Sequence, residues 1–140
     1  RTDVLFLNLF DSNAVEAVIG GEKGLLKGNL DKKIIIDTTT NHFESVLEFH
    51  DIFKRHGAQY VEAPVLGSVV PASQGNLTVL VSGAKDAYEK ALPYIGKIGK
   101  KIFYLEEPAL ATKMKLINNL ILGTYGRYLG GAPVRRGRRT

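Results

Sequence analysis

A lysine and two neighbouring amides share one face of the last helix that the sequence predicts. This helix begins near residue 108 and carries Lys115, Asn118 and Asn119, which fall on one narrow face at 100° per residue. Apolar stripes cover its other sides, so we expect it to be mostly buried. A lysine in such surroundings has a lowered pKa and can transfer protons near neutral pH, while Asn119 holds the lysine or a substrate hydroxyl. The alternative is structural, with the ammonium reaching water and the amides satisfying backbone groups.

A loop over residues 63–75 is the second candidate for a functional site. It carries Pro64, Gly67, Pro71 and Gly75. Glycine allows backbone N–H groups to converge on an anion, which is what a pocket for a carboxylate requires. The alternative is an ordinary turn, because most loops rich in glycine and proline are turns.

Other familiar catalytic and metal-binding motifs are missing from the sequence. His50 and His56 stand six positions apart on a helix predicted over 43–56, so they do not share a face and a metal pair is not expected. There is no HExxH, no P-loop and no GxGxxG, so cofactor binding cannot be inferred from the usual dinucleotide fingerprint. Without cysteine, the chain forms neither a disulfide nor a thiolate metal site.

The elements that position these residues alternate between strand and helix. Strands are predicted over 3–9, 33–37, 59–62, 77–82 and 101–105, and helices over 12–19, 43–56, 84–98 and from 108 past Leu122. The strands are nearly all apolar, which indicates an α/β fold with an open parallel sheet covered on both faces. Ligands bind beyond the carboxyl ends of the strands in such sheets. The segments of interest are therefore Leu9-Phe10-Asp11, Thr38-Thr39-Thr40 and the 63–75 loop.

The net charge of +5 comes entirely from the end of the chain. Five of the 19 basic residues, all arginines, lie after residue 122 without an acid, which leaves 14 basic and 14 acidic residues before it. A neutral body lacks the basic face that nucleic acid requires, so this partner is not expected, although the Arg-rich end keeps the class open. The apolar runs are too short to span a membrane. The lack of cysteine and of a secretory leader favours a cytoplasmic protein.

Several motifs, taken in order, resemble the β-hydroxyacid dehydrogenases, an NAD(P)-dependent family that includes 3-hydroxyisobutyrate dehydrogenase and is related to 6-phosphogluconate dehydrogenase. Among them are KIIIDTTT, then GAQYVEAPVLGSVVPASQGNLTVLVSG, then ATKMKLINNLILG, within a resemblance that covers residues 2–124. APVxG, GxLT and KxxNN at these spacings form a specific combination. The resemblance implies a Rossmann-type fold, NAD or NADP as cofactor, and a small hydroxyacid or oxoacid as substrate.

The resemblance also implies roles for individual residues. Lys115 stands at the family's catalytic lysine, the general acid/base, and Asn119 at its substrate-positioning amide. Three residues stand at contacts with the dinucleotide: Leu9, Phe10 and Thr40. Three more are expected to bind the substrate, with the first two in the loop that holds its carboxylate: Gly67, Ser68 and Asn118.

The sequence departs from the family pattern at three positions. Phe10 stands where the family usually has proline, a change that is tolerated if only the backbone contacts the cofactor. Leu66 replaces the usual serine of PVSGG, and Ser68 replaces its second glycine. Losing the serine hydroxyl puts a 3-hydroxyisobutyrate-type substrate in doubt, although Ser68 offers an alternative donor. Imine-reducing relatives generally lack the lysine, so Lys115 favours a carbonyl/alcohol reaction.

The expected layout is that of a partial chain, because family members are longer and this sequence opens within a strand. We expect part of an NAD(P)-binding domain over 1–107, inactive by itself, the start of an interdomain helix over 108–125, and a homo-oligomeric parent. From about residue 126, glycines and Pro133 disfavour further helix, which suggests a disordered, frameshifted tail. A genuine basic tail that binds an acidic partner is the competing interpretation. A non-catalytic reader or scaffold on the same fold is the alternative function.

Overall fold

The computed structural model describes residues 2–129, and of residues 126–129 only the backbone. Its six strands are β1 Val4–Leu7, β2 Ile34–Asp37, β3 Gln59–Glu62, β4 Val65–Leu66, β5 Leu77–Val81 and β6 Gly99–Tyr104. The helices are α1 Ser12–Gly20, α2 Phe43–Arg55, α3 Val69–Ser73, α4 Lys85–Ile95 and α5 Leu110–Leu129, with a 3₁₀ turn over Leu25–Lys27. The predicted alternation of strands and helices is confirmed, with boundaries shifted by up to three residues, except at the end of α5.

The strands form two three-stranded sheets that meet at one bridge. Strands β1, β2 and β3 lie parallel in that order, and β5 pairs in parallel with β6 but antiparallel with β4. An isolated antiparallel bridge between Glu62 and Ser82 joins the two sheets. The α/β fold is confirmed, but the prediction of a wholly parallel sheet is wrong. Residues 67–76 are too short for the crossover that a parallel return requires, so β5 runs back along β4.

Two apolar clusters cover opposite faces of the first sheet. Successive residues of a strand point to opposite faces, so Ile35 packs in one cluster while Ile34 and Ile36 pack in the other. The first cluster includes Phe49 and Phe53 of α2, and the second includes buried residues of α4. These helices therefore fix the sheet from both sides and leave its carboxyl edge for a site.

The 63–75 segment is more regular than a loop. It contains β4 and the short helix α3, which together form a turn back into β5. No helix among the described residues is long and apolar enough to cross a membrane.

Helix α5 differs from its prediction in two ways. It continues through Gly126 to Leu129, four residues beyond the expected start of the tail. A cost of about 1 kcal/mol for a glycine does not end a helix that already has four turns before it. Residues 130–140 lie outside the described part, where the frameshift stays a prediction. The helix is also not mostly buried: Leu120, Ile121 and Leu122 are exposed, because only the first turns of α5 pack on the sheet.

Candidate functional site

A cavity of about 270 Å³ opens where β1 and β2 end. Its walls come from the turn into α1, from the turn into α2 and from α5; the lining residues are Asp11, Ser12, Asn13, Thr40, Asn41, His42 and Leu116. The carboxyl ends of two parallel strands thus meet the N-terminus of α1, as the sequence predicts for a ligand site in this fold.

Hydrogen bonds between the two turns shape this cavity. The Leu9 N–H donates to the Thr39 hydroxyl at 2.9 Å. The Ser12 hydroxyl donates to the Asn41 side-chain oxygen at 3.2 Å and accepts from the His42 N–H at 2.8 Å. Asp11 accepts from the Ala14 N–H and caps α1. These bonds fix the β1 turn against the β2 turn, so the cavity keeps its shape.

The buried carboxylate of Asp37 holds the β2 turn from beneath. Its Oδ1 accepts from the Thr39 N–H at 2.8 Å, and its Oδ2 accepts from the Asn41 amide at 2.9 Å and from the Tyr60 hydroxyl at 2.7 Å. Burial, and then the charge of Asp37, raise the pKa of Tyr60 well above its ordinary value, so this hydroxyl stays a donor. Thr40, between Thr39 and Asn41, is therefore held at the rim.

Lys115 lies on α5, one residue before the cavity-lining Leu116, and is not itself among the lining residues. It is half-buried, and desolvation lowers the pKa of its ammonium from the ordinary 10.5. The next residue, Leu116, lines the cavity with Thr40. One turn earlier, the Ala111 N–H donates to the Ser82 hydroxyl at the end of β5. Lys113, by contrast, is exposed, with its ammonium 5.3 Å from the centre of the Phe43 ring.

The predicted site residues fall into two groups. Thr40 is exposed at the cavity, while Leu9 is half-buried and Phe10 is 93% exposed in the β1–α1 turn. On α5, Asn118 is half-buried and Asn119 is exposed. The two turns and Leu116 of α5 meet at the cavity.

Gly67 and Ser68 form the second group, exposed between β4 and α3. Gly67 has a φ of 136°, and a Cβ there would lie 2.7 Å from Leu77 Cδ2 and 3.4 Å from Pro71 Cβ. Its nearest neighbours therefore belong to the same β4–β5 hairpin, and the structure does not place Gly67 against α5. This turn requires glycine, and the predicted role of Gly67 in holding a carboxylate stays a prediction.

Two residues of the site were missed from the sequence, Asp37 and Glu62. Each is a carboxylate at the end of a buried strand, with 1% of its surface exposed. Their position at the end of an apolar strand is a sequence signal that such a residue is paired, because an ionised side chain is almost never fully buried otherwise, but it does not identify the partners.

A second cavity, of about 430 Å³, lies between α2, the start of β3 and the β5–α4 turn. His50, Tyr60, Gly83 and Glu106 are among its lining residues. The described residues contain no group of three His, Cys, Asp or Glu side chains that could hold a metal ion. Neither cavity is therefore assigned to a metal.

The first cavity fits one portion of a dinucleotide. Pockets for whole ligands of drug size occupy about 300–1,000 Å³, more than this cavity offers. Ser12, Asn13 and Thr40 provide neutral donors and acceptors suited to sugar hydroxyls.

Sequence comparison relates the chain to several oxidoreductases. It is 37% identical to glyoxylate/succinic semialdehyde reductase 2 of Arabidopsis thaliana, over 87% of this chain and 34% of the relative. It is 31% identical to 2-(hydroxymethyl)glutarate dehydrogenase of Eubacterium barkeri, over 87% of this chain and 40% of the relative. It is also 30% identical to the human cytokine-like nuclear factor N-PAC, over 88% of this chain and 22% of the relative. The chain thus spans well under half the length of these relatives.

The fold and a family model give the same assignment. The solved structure of Psf3 in complex with NADP⁺ and 2-OPP superimposes with a TM-score of 0.80 at 29% identity, over 94% of this chain and 50% of that one. Residues 1–105 match the model of the NAD binding domain of 6-phosphogluconate dehydrogenase. The match covers most of the chain, and the Rossmann-type fold and the resemblance inferred from the motifs are confirmed. The chain belongs to the NAD binding domain family of 6-phosphogluconate dehydrogenase.

Proposed function

We propose that the protein containing this chain is an NAD(P)-dependent oxidoreductase that interconverts a small hydroxyacid and its oxoacid or semialdehyde. The observation that carries this proposal is the position of Lys115. It is half-buried, its pKa is lowered, and it precedes Leu116 at the cavity where β1 and β2 end. A base with a lowered pKa near a recess that fits part of a dinucleotide suits removal of a hydroxyl proton.

Lys115 is the general acid/base in this proposal. As a neutral amine it accepts the proton of the substrate hydroxyl, and as an ammonium it returns that proton in the reduction. When bound, NAD or NADP supplies hydride chemistry at the hydroxyl-bearing carbon. Asn119, one turn beyond Lys115, orients the amine and the hydroxyl.

The remaining residues bind and orient. The substrate carboxylate is held by the backbone at Gly67 and Ser68, and Asn118 contributes an amide beside Lys115. The backbone of Leu9 and Phe10, together with Thr40, contacts the cofactor at the rim of the cavity, where the Phe10 side chain points away into solvent. Because its contact is through the backbone, phenylalanine is tolerated in place of proline.

The test compares Lys115→Ala with Lys113→Ala in the full-length protein. Loss of the general acid/base is expected to lower turnover of a hydroxyacid by about 100-fold or more, with little change in dinucleotide affinity. Lys113, two residues away and exposed, is the matched control and should keep turnover within about twofold, the scale of a neutral surface substitution. Near-normal turnover of Lys115→Ala would show that the assigned role is wrong.

A non-catalytic role is the second candidate. It is favoured by the 30% identity to N-PAC, whose name is that of a nuclear factor, and by Leu66, which has no hydroxyl at a position where the family usually has serine. Dinucleotide binding without turnover of any small hydroxyacid or oxoacid by the full-length protein would support this role.

We further propose that the whole protein is a cytoplasmic homo-oligomer.

A further inference from the structure

The first turn of α5 is held mainly by side chains at the ends of β3 and β5; its own neighbourhood adds the bond from the Leu110 N–H to the Glu107 carbonyl. The Ala109 N–H donates to Glu62 Oε1. The Thr112 N–H and hydroxyl donate to Glu62 Oε2 at 3.1 Å and 2.6 Å. The Ala111 N–H, between them, donates to the Ser82 hydroxyl at 3.0 Å. Glu62 and Ser82 therefore satisfy donors that a helix start otherwise leaves free.

Glu62 is a costly residue to bury, and its partners explain why it is tolerated. Only 1% of it is exposed, and it stays favourable because several donors and the positive end of the α5 dipole face it. His50 Nε2 lies 3.3 Å from Glu62 Oε1 and completes its surroundings. The carboxylate thus has partners on both oxygens.

The contact also fixes the direction in which α5 leaves the sheet. Ala109 has a φ of 66°, in the left-handed region that a non-glycine residue adopts at a cost of about 1–3 kcal/mol. Its N–H is bound to Glu62, and the helix begins at the next residue. The carboxylate therefore holds the strained residue from which the helix takes its course.

Lys115 follows this anchored turn at once. It stands three residues after Thr112, about 4.5 Å along the axis at 1.5 Å per residue, and one turn after Ala111 on the same face. A helix that shifts at its start carries the lysine with it. A displacement of about 1 Å between reacting groups lowers a rate by about 100-fold.

We propose that Glu62 is the positioning residue of the site: its contacts to Ala109 and Thr112 orient α5 so that Lys115 reaches the substrate hydroxyl. This rests on the proposed function, in which Lys115 is the general acid/base. Glu62 itself touches neither substrate nor cofactor. It acts through the helix, and its removal misplaces the amine while the two turns that supply the other six lining residues of the cavity stay in place.

The test is a double-mutant cycle in the full-length protein. Glu62→Gln keeps the shape of the side chain but replaces one accepting oxygen by a donor, and it should lower kcat about 100-fold with dinucleotide Kd unchanged. In the Lys115→Ala background the same substitution should have no further effect, because a misplaced lysine and a missing one are equivalent. If the double variant loses kcat by the product of the two single-variant losses, or if Glu62→Gln has a normal kcat, the proposal is overturned.

Two less disruptive variants at Thr112 test the proposal if Glu62→Gln does not fold. Thr112→Val removes only the hydroxyl bond to Glu62 and should lower kcat about 10-fold, whereas Thr112→Ser retains the hydroxyl and should stay within twofold. Equal kcat values for these two variants contradict the proposal. The proposed function is tested separately. If Lys115→Ala alone keeps its turnover, the proposed function is wrong. If Lys115→Ala loses turnover and Glu62→Gln lowers it further in that background, only the positioning role of Glu62 is wrong.

Discussion

Replacing Asp37 by asparagine should destabilise the protein by an amount that follows from its three hydrogen bonds. The amide keeps one accepting oxygen, which can serve the Thr39 N–H. Its NH₂ group then faces the Asn41 amide and the Tyr60 hydroxyl, both of which donate to Asp37 Oδ2. The hydroxyl can rotate and accept, but Asn41 cannot simply flip, because its oxygen accepts from Ser12.

The expected loss is about 1.5–3 kcal/mol: the Asn41 bond to a charged group, which contributes at least about 1.5 kcal/mol, is lost, and the Tyr60 bond is lost or replaced by a weaker neutral one. Tyr60→Phe removes one of the two and should cost about 1.5 kcal/mol by the same reasoning. The free energies come from urea unfolding of the full-length protein, read from the midpoint at unchanged slope.

Asp86→Asn is the matched control, because Asp86 is an exposed carboxylate whose partners, Gln59 and Lys90, are also at the surface. A surface pair of this kind contributes about 0–1 kcal/mol. If Asp37→Asn shifts the midpoint no more than Asp86→Asn, the three bonds do not contribute as argued, and Asp37 does not hold the turn that carries Thr40.

Two further predictions concern activity. Because desolvation lowers the pKa of Lys115, the rate of oxidation should rise with pH through a pKa below 10.5, as the ammonium loses its proton. The rate of reduction should fall through the same pKa. A pH profile without this change in rate, or one that is the same in Lys115→Ala, contradicts the role assigned to Lys115. Gly67→Val should raise KM for a hydroxyacid about 10-fold or more with dinucleotide Kd little changed, because a Cβ meets Leu77 at 2.7 Å and a φ of 136° is strained for valine. Gly20→Ala, whose Cβ has open space, is the control, and equal damage to both ligands by Gly67→Val would indicate misfolding instead.

The sequence predicts the elements well where the local pattern and the final environment agree. The apolar run before Asp37 is a buried strand, and Asp11 caps α1 as its position indicates. The antiparallel return of β5 was missed, because strand direction depends on the length of the connection rather than on the residues of the strand. The burial of α5 was overestimated, because an apolar helix face does not show whether a partner covers it. Of residues 110–125, only those of the first turns are fully buried.

The residues proposed for the site also differ in how far the sequence predicts them. A lysine on a helix face can be found from spacing, and its half-buried position agrees with that inference. The supporting carboxylates cannot be found so easily, since Asp37 binds Tyr60 from 23 positions away and Glu62 binds Thr112 from 50 positions away. Such contacts depend on how strands and helices meet, which no local pattern contains.

The bridge between Glu62 and Ser82 has a consequence for cooperativity. The backbones of these two residues join the two sheets, and their side chains hold the first turn of α5. Opening the bridge removes the acceptors of the helix, and releasing the helix uncovers the bridge. We therefore expect the sheet junction and the start of α5 to open together as one unit, so that neither half of the domain can loosen while Lys115 keeps its place.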